Sequence, residues 1–481
     1  MKEKLKKLSE YKWLIPKDAV PEMRVDAIFY ANKSIFDTVE DTAVTQLTNV
    51  ACLPGIIEPV IGMPDMHWGY GLPMGAVGAF DKDKGVISCG CTGFDINCGI
   101  HMLRTNLIAK EVKPKIRKLI DTLFRNVPCG VGARSKLRLS TKELNEVFIE
   151  GVGWAVKQGY GILEDLERLE ENGCIKGADT SKVSQEAISR GIPQLGTLGA
   201  GNHFLEVQAV DKIYEPEIAR KFGIMEKGQV TVMIHCGSRG LGHQVATDYL
   251  KIHKSAANKY GIELPDAQLV CAPATSTEGQ NYFMAMKAAA NYAFCNRQII
   301  AHWTRESFSQ VFGKSWEEME MQTIYDVCHN ICKLEEHQIN GKPRKVYVHR
   351  KGATRALPPG HPDVPLVYRE VGQPVLIAGS MGTASYILVG TSEAMSETFG
   401  SSCHGAGRAM SRNRALKIYR GEQIKRELEA QGEALRSTHP KVLAEEAPGA
   451  YKDVDAVVDS VHQAGISKKV ARMVPLGVAK G

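Results

Sequence analysis

The chain has 481 residues, enough to bury a substantial core, and its 43% hydrophobic and 24% charged residues match an ordinary globular protein. Sixty basic against 54 acidic side chains leave a net charge of only +6, which permits a nucleic-acid partner without arguing for one. Twelve cysteines scattered through apolar segments exclude a small disulfide-knit secreted scaffold and predict a reducing, cytoplasmic setting.

Taken from the N-terminus, Met1 to Leu8 is charged and lacks the apolar stretch of a secretory signal. No run of about 18 apolar residues follows, so no membrane span is expected. From Thr48 to Phe80 glycine and proline recur every few residues, which predicts short strands and tight loops rather than helix. Asp65 and His67 are the polar residues of the loop P-D-M-H-W-G-Y-G-L-P-M-G within it.

The stretch Ser88 to Gly99, S-C-G-C-T-G-F-D-I-N-C-G, concentrates chemistry. Asp95 and Cys98 stand three residues apart, so a carboxylate and a thiol can share one cation, and a thiolate can bridge two. Cys89, Cys91 and Cys98 lack the paired C-x2-C spacing of a zinc knuckle. The plain alternative is a buried glycine turn with small apolar cysteines.

Beyond it, Ile116, Leu119, Ile120, Leu123 and Phe124 mark one apolar face of a helix. Ser140 and Glu143 have capping-box spacing and predict another helix start, and Gly159 to Gly173 also reads as helical. The glycine-rich loop Gly196 to Phe204 leads into a strand, Phe204 to Val210, so it is not a dinucleotide loop, which must open a helix. Gln229 to His235 reads as a buried strand ending at the loop Cys236 to Gly242, where an arginine suits an anion. Helices are predicted over Gln244 to Tyr260 and Tyr282 to Phe312, while Ile324 to Ile331, which carries His329, fits helix or strand.

Strands are predicted at Lys345 to His349, Pro374 to Ala378 and Ser385 to Gly390. Cys403 to Arg408 then leads into a long basic helix carrying Arg412, Arg414, Lys417 and Arg420. With no repeat, low-complexity linker or clear boundary, the pattern predicts an α+β fold in one large mixed domain, residues 1–481.

Each of His203, His235, His329 and His404 could be a hydrogen-bonded core histidine. Their context raises them together, because His203 and His404 adjoin glycine-rich loops and the other two follow apolar segments that hold a ring rigidly. Asp95, Cys98 and three histidines would suffice for a two-metal site with a shared thiolate. The residues alone point to a cytosolic enzyme of phosphate chemistry.

Six blocks in order, F-D-I-N-C-G (94–99), G-N-H-F-L-E (201–206), H-C-G-S-R-G-L-G-H (235–243), H-R-K-G-A-T-R-A (349–356), G-S-M-G-T-A-S-Y (379–386) and C-H-G-A-G-R (403–408), closely resemble the RtcB family of GTP-dependent RNA-splicing ligases. The resemblance extends to V-A-K-G at the C-terminus. It implies sheets surrounded by helices, with a dinuclear metal centre in a central cleft. It also implies joining of an RNA 3′-phosphate or 2′,3′-cyclic phosphate to a 5′-hydroxyl, with GTP, two Mn²⁺ ions and a guanylate carried on histidine.

Carried over, Asp95, Cys98 and His203 would hold one ion, and Cys98, His235 and His329 the other. His404 matches the guanylated nucleophile. Asp65 is the expected partner of its ring, with His67 as an alternative. The guanylate would lie among Asn202, His203, Phe204, Leu205, Glu206, His329, Asn330, Ala378, Gly379, Ser380, Met381, Ser385, Gly405, Ala406, Gly407, Tyr451 and Lys480. Arg239, Lys351, Arg408 and Arg412 resemble groups that meet RNA phosphates, the last two sharing one helix face. Implied partners are RNA, with tRNA exon halves foremost, and archease as a turnover partner. A monomer away from membranes is expected.

The chain departs from the family pattern at Cys89 and Cys91, where small residues are usual, and at Ala378, where proline is frequent. Extra thiolates would favour zinc, yet neither cysteine is expected to be a ligand. No K-x-D-G motif of lysine-dependent ligases occurs. The rival readings are a two-metal phosphohydrolase acting on RNA ends and a non-catalytic RNA-binding scaffold. The first would have no use for the H-G-A-G-R loop, and the second would leave the ligand set unexplained.

Overall fold

The computed structural model describes all 481 residues. Two large sheets carry a mixed α/β fold, with helices packed around them. The eight-stranded sheet runs, in spatial order, Gln322–Cys328, Gly99–Ile108, Gln229–Cys236, Phe204–Ile213, Ser467–Lys480, Ser385–Gly390 and Pro374–Ile377. Ala434–Ser437 is paired to the fifth of these. The other sheet has seven strands and includes Ile56–His67, Met74–Asp81, Lys342–Lys351 and Asn330–Ile339.

Gln229–Cys236 is buried along its whole length, its polar Gln229, Thr231 and His235 included. Alternation then sorts its side chains. Val230, Val232 and Ile234 join the core of the amphipathic helix Ile116–Asn126, whereas Met233 packs with Ile100, Met102 and Phe204 on the opposite face. The 36-residue helix Thr277–Phe312 is capped by Ser276 and stopped at Gly313 in the left-handed region. Every residue from Ala288 to Ala301 is buried, so this helix shows no single apolar stripe.

Register decides where the chemistry gathers. Gly99 lies opposite both Cys236 and Cys328, and Phe204 opposite both His235 and Lys480. Cys98, His203, His235 and His329 therefore meet at one end of the eight-stranded sheet. In the other sheet Asn330 pairs with Lys351 at the adjoining end. A two-stranded pair, Ala353–Arg355 with Ser401–Cys403, delivers His404 to the same place.

Several predicted elements hold. Ser140 and Glu143 form a reciprocal capping box at the helix Thr141–Glu150. The ambiguous stretch around His329 consists of two strands broken at the histidine itself. Other expectations are corrected. Thr48 belongs to a helix, Asp41–Val50, and the glycine-rich region after it forms two long strands rather than short ones.

Residues 159–173 contain only one helical turn, Leu163–Leu166, and a 3-10 turn interrupted by positive φ at Glu171 and Asn172. The predicted helix at Gln244 begins earlier, in Arg239–Lys259, and the next begins at Thr277. The long basic helix is only Arg412–Ile418, because Ser411 caps it and Tyr419 already returns to extended backbone. Arg408 lies outside it, bridged to Tyr451, and Arg420 caps the next helix, Gly421–Ala430. No helix is long and apolar enough to cross a membrane.

Candidate active site and metal centre

The turn before Cys98 is held from several sides. Asn97 adopts a left-handed backbone, φ +53°, which its short polar side chain tolerates. Its amide N–H donates to Asn330 O at 2.7 Å and its side chain to Ala290 O at 2.7 Å. Arg297, fully buried on the long helix, donates to Asn97 O at 2.7 Å, Cys236 O at 2.9 Å and the Asp326 carboxylate at 2.7 Å. One guanidinium thus ties together the three segments that carry Cys98, His235 and His329. Asp326 also accepts from His101 at 3.0 Å, which closes a buried ion pair behind the site.

In front of that layer lie two groups of donor atoms, each mutually within 4.8 Å: Asp95, Cys98 and His203, and Cys98, His235 and His329. Cys98 belongs to both. Its Sγ is 3.2 Å from His235 Nε2 and 3.5 Å from His203 Nε2, and His235 Nε2 is 3.3 Å from His329 Nε2. Asp95 Oδ2 faces His203 Nε2 at 2.8 Å, while Oδ1 accepts from the Ser238 N–H at 2.9 Å. A Cβ at Gly237 would come within 2.4 Å of that carboxylate, so glycine is required there.

Burial lifts the Cys98 thiol to about 12 and pushes His235 and His329 well below the usual imidazole range, favouring the neutral forms of these three, whereas Cys236, Cys98 and Asp95 around His203 raise its ring well above that range against its burial. Burial alone would also lift the Asp95 carboxyl, but the hydrogen bond and charge of His203 hold it below its usual range. Neither His235 Nδ1 nor His329 Nδ1 has a partner. Converging N, O and S donors around a shared sulfur are the chemistry of a two-cation site, and these residues fit one. Neither Cys89 nor Cys91 belongs to either group.

His404 lies beside the second group, its ring centroid 4.7 Å from that of His329. Its Nδ1 is 2.6 Å from Oδ2 of the fully buried Asp65, and that oxygen also accepts the N–H groups of His404 at 3.0 Å and Gly405 at 3.2 Å. Burial works to raise the Asp65 carboxyl, yet the charge and hydrogen bonds of His404 keep it below the usual value. His67 instead turns Nδ1 to the Asp65 carbonyl at 2.9 Å. At Gly407, φ +71°, a Cβ would lie 2.3 Å from the Asp65 carbonyl oxygen, so the chain can pass only as glycine. With Nδ1 engaged, Nε2 is the ring nitrogen left for chemistry.

A cavity of about 600 Å³ opens over these groups. Asn202, Phe204, Glu206, Asn330, Ala378 to Met381, Gly405 to Gly407, Tyr451 and Lys480 line it beside the donor histidines and His404. Burial raises the Glu206 carboxyl to about 7, against a hydrogen bond from Gln208 at 2.7 Å. Two of the residues expected around the guanylate do not line the cavity. Leu205 alternates away from it into the core with Val207 and Ile234, and Ser385 accepts the Gly379 N–H at 3.1 Å from behind.

The four predicted basic residues line it, each already engaged within the protein. Lys351 is buried, donates to the carbonyls of Tyr70 and Gly90, and is pushed down to about 8 by burial. Arg239 donates to Thr197 at 3.1 Å. Arg408 and Arg412 both reach the buried carboxylate of Glu446, at 3.3 and 3.2 Å, and do so without sharing a helix. Sequence reasoning missed Glu446, which also accepts from the Tyr451 hydroxyl. It sits in an unremarkable Leu-Ala-Glu-Glu-Ala run, and no motif marks it. Arg190, Gln194 and His243 were likewise not singled out as cavity residues.

Comparison with known proteins agrees with this geometry. A family model described as tRNA-splicing ligase RtcB matches residues 46–481. Proteins named tRNA-splicing ligase RtcB from Archaeoglobus fulgidus and Thermococcus kodakarensis are 59% and 58% identical to this chain, covering 99% of each sequence. One of the same name from Methanococcus maripaludis is 50% identical over the full length of both. With the match spanning the two donor groups, the His404–Asp65 pair and the cavity between them, the chain belongs to the RtcB family.

Proposed function

We propose that this protein is an RNA ligase that joins an RNA 3′-phosphate end, or a 2′,3′-cyclic phosphate end after opening, to a 5′-hydroxyl end at the expense of GTP. The observation that carries this reading is the His404–Asp65 pair placed against a paired N/O/S donor cluster. A nucleophilic histidine needs one ring nitrogen unprotonated and the other fixed, and Asp65 holds the proton on Nδ1. Asp95, Cys98 and His203 would hold one Mn²⁺ ion and Cys98, His235 and His329 the other. When bound, these ions would supply charge compensation at the reacting phosphates.

His404 Nε2 attacks the α-phosphorus of GTP, a P–N bond forms and pyrophosphate leaves. The RNA 3′-phosphate then displaces histidine to give a 3′-diphosphoguanosine end, and the imidazole is released. Finally the 5′-hydroxyl oxygen bonds to the 3′-phosphorus, its proton is lost and GMP leaves. Glu206, Ser380, Tyr451 and Lys480 would surround the guanylate, while Arg239, Lys351, Arg408 and Arg412 would meet RNA phosphates once RNA competes for them. Residues 1–481 act as one ligase domain. The setting is the cytoplasm, with tRNA halves or broken RNA as substrate and a monomer assisted by archease.

Incubation with α-labelled GTP and Mn²⁺ tests the reading. It requires an acid-labile, base-stable label on His404 that RNA with a 3′-phosphate discharges. A protein that releases phosphate from RNA ends without acquiring label is a hydrolase instead. Hydrolysis would leave the His404–Asp65 arrangement without a task.

A further inference from the structure

The Asp65 carboxylate that orients His404 must itself be held in place and kept ionised. The strand that bears it falls out of register with its neighbour between Gly62 and His67, a bulge that aims the side chain at His404. Oδ2 accepts from the His404 ring and from the amides of His404 and Gly405, while Oδ1, also buried, has no hydrogen-bond partner. A dry carboxylate so placed needs a cation nearby to stay charged. His67 cannot serve, because burial pushes its ring down to about 3 and leaves it neutral.

Lys452 supplies that cation. It follows Tyr451 directly, but Tyr451 lines the cavity, whereas Lys452 is turned away from it and is 6% exposed. Its Nζ donates to the carbonyls of Pro64 at 3.1 Å and Met66 at 2.6 Å, the residues on either side of Asp65. Its backbone N–H donates to Gly407 O at 2.9 Å, in the glycine loop that follows His404. One residue therefore holds both arms of the His404–Asp65 pair. Burial brings the ammonium down to about 8, with the Asp65 charge acting the other way, so it is protonated at neutral pH. It makes no direct ion pair with Asp65. Its charge reaches the carboxylate across buried backbone, where little water screens it, and adds to that of His404 in keeping the carboxyl ionised.

We infer that Lys452 is a positioning residue for guanylate transfer to His404: its buried ammonium fixes the bulge that aims Asp65 and keeps that carboxylate ionised behind the ring. As the P–N bond forms and pyrophosphate leaves, the His404 ring takes up positive charge. It gives that charge up when the RNA phosphate displaces it. An ionised Asp65 at Nδ1 stabilises the charged ring in between. The inference rests on the ligase reading for the role of His404, whereas the pairing of Lys452 with Asp65 is testable without it.

The test is a double-mutant cycle between Lys452→Gln and Asp65→Ala in the intact protein, read by GTP labelling and by thermal unfolding. Glutamine retains an N–H donor for the two carbonyls and lacks the charge. Lys452→Gln is expected to slow the first-order labelling rate at saturating GTP about tenfold, within the energy of a broken contact network. The half-saturating GTP concentration and the metal content should not change. In Asp65→Ala the same substitution should cost less than about twofold, because the carboxylate it serves is gone. RNA with a ready-made 3′-diphosphoguanosine end should be joined by Lys452→Gln at the parent's rate, since the histidine's work is already done. The unfolding midpoint should fall on Lys452→Gln in the parent background. It should hold or rise in Asp65→Ala, where the ammonium has lost its counter-charge.

A lysine that only braces the chain would give equal losses in both backgrounds and slow the joining of activated RNA as well. Either result overturns the inference, and so does an unchanged labelling rate in Lys452→Gln. Folding of Lys452→Gln only in the Asp65→Ala background would support the pairing, and folding in neither background would overturn it. A midpoint coupling between the two positions in a protein that takes no label from GTP would refute the ligase reading alone.

Discussion

The donor cluster and the ion-pair layer directly behind it use similar residues to opposite ends. In the layer every charge is met. Arg297 and His101 cover both oxygens of Asp326, and Arg305 clasps Asp165 with two 2.7 Å hydrogen bonds, joined by Thr323 at 2.6 Å. Burial would raise the Asp326 carboxyl, but the Arg297 charge brings it below its usual value. In the cluster burial outweighs its offsets at Cys98, His235 and His329, and donor atoms converge on one another. Satisfied buried charge holds a shape, and unsatisfied buried donors wait for a cation.

His404 stands outside both regions, so replacing it gives the cleanest break. His404→Ala should abolish GTP labelling and joining while metal content, measured by mass spectrometry, stays at the level of the unmodified protein. RNA supplied with a ready-made 3′-diphosphoguanosine end should then be joined again. Failure on that substrate, or loss of label in Cys403→Ala instead, would show that the nucleophile is misassigned.

Within the cluster, Cys98→Ala should remove both ions because its sulfur belongs to both donor groups, whereas His203→Ala should weaken mainly one. Two full equivalents of Mn²⁺ retained in Cys98→Ala would contradict the shared thiolate. The layer should respond differently. Arg297→Met strands Asp326 in a dry interior and should cost about 3–5 kcal/mol of folding stability in chemical denaturation, with or without metal. A metal-free stability equal to the parent's would mean that the layer does not hold the fold.

Smaller effects are expected at the edges. Asp65→Ala removes the acceptor at His404 Nδ1 and should slow labelling without abolishing it, as a time course with saturating GTP will show. Neutralising Arg408 and Arg412 together should weaken RNA binding and lower its salt slope by about two. A slope identical to the parent's would place the RNA phosphates elsewhere.

Much of this site was legible in the chain itself. The pairing of Asp95 with Cys98 three residues on, the glycines around His404 and the buried run ending at His235 are local signals, and each marks a real element of the centre. The apolar period over Ile116 to Phe124 and the Ser140 capping box were equally local and equally reliable. Expectations failed where local preference met a tertiary demand. The basic residues after Arg408 suit a helix, but Arg408 is needed in a bridge to Tyr451 and the helix waits for Ser411. Leu205, inside a glycine-rich motif, turns to the core because a strand alternates.

What the sequence determined by itself was the inventory: which carboxylates, thiol and histidines, which strands and caps. Its motif blocks also carried the family resemblance. Only the tertiary structure decided the meetings. Asp65 and His404 stand 339 positions apart, and Arg408 and Arg412 share Glu446 from different elements. The contacts of Phe94 with Tyr70 and His243, residues far apart in the chain, follow no sequence period at all. The physical reason is that propensity and periodicity act over a few residues, whereas strand register, set by the pairing of Gly99 with Cys236 and Cys328 and of Phe204 with His235, fixes which distant side chains end at the same edge.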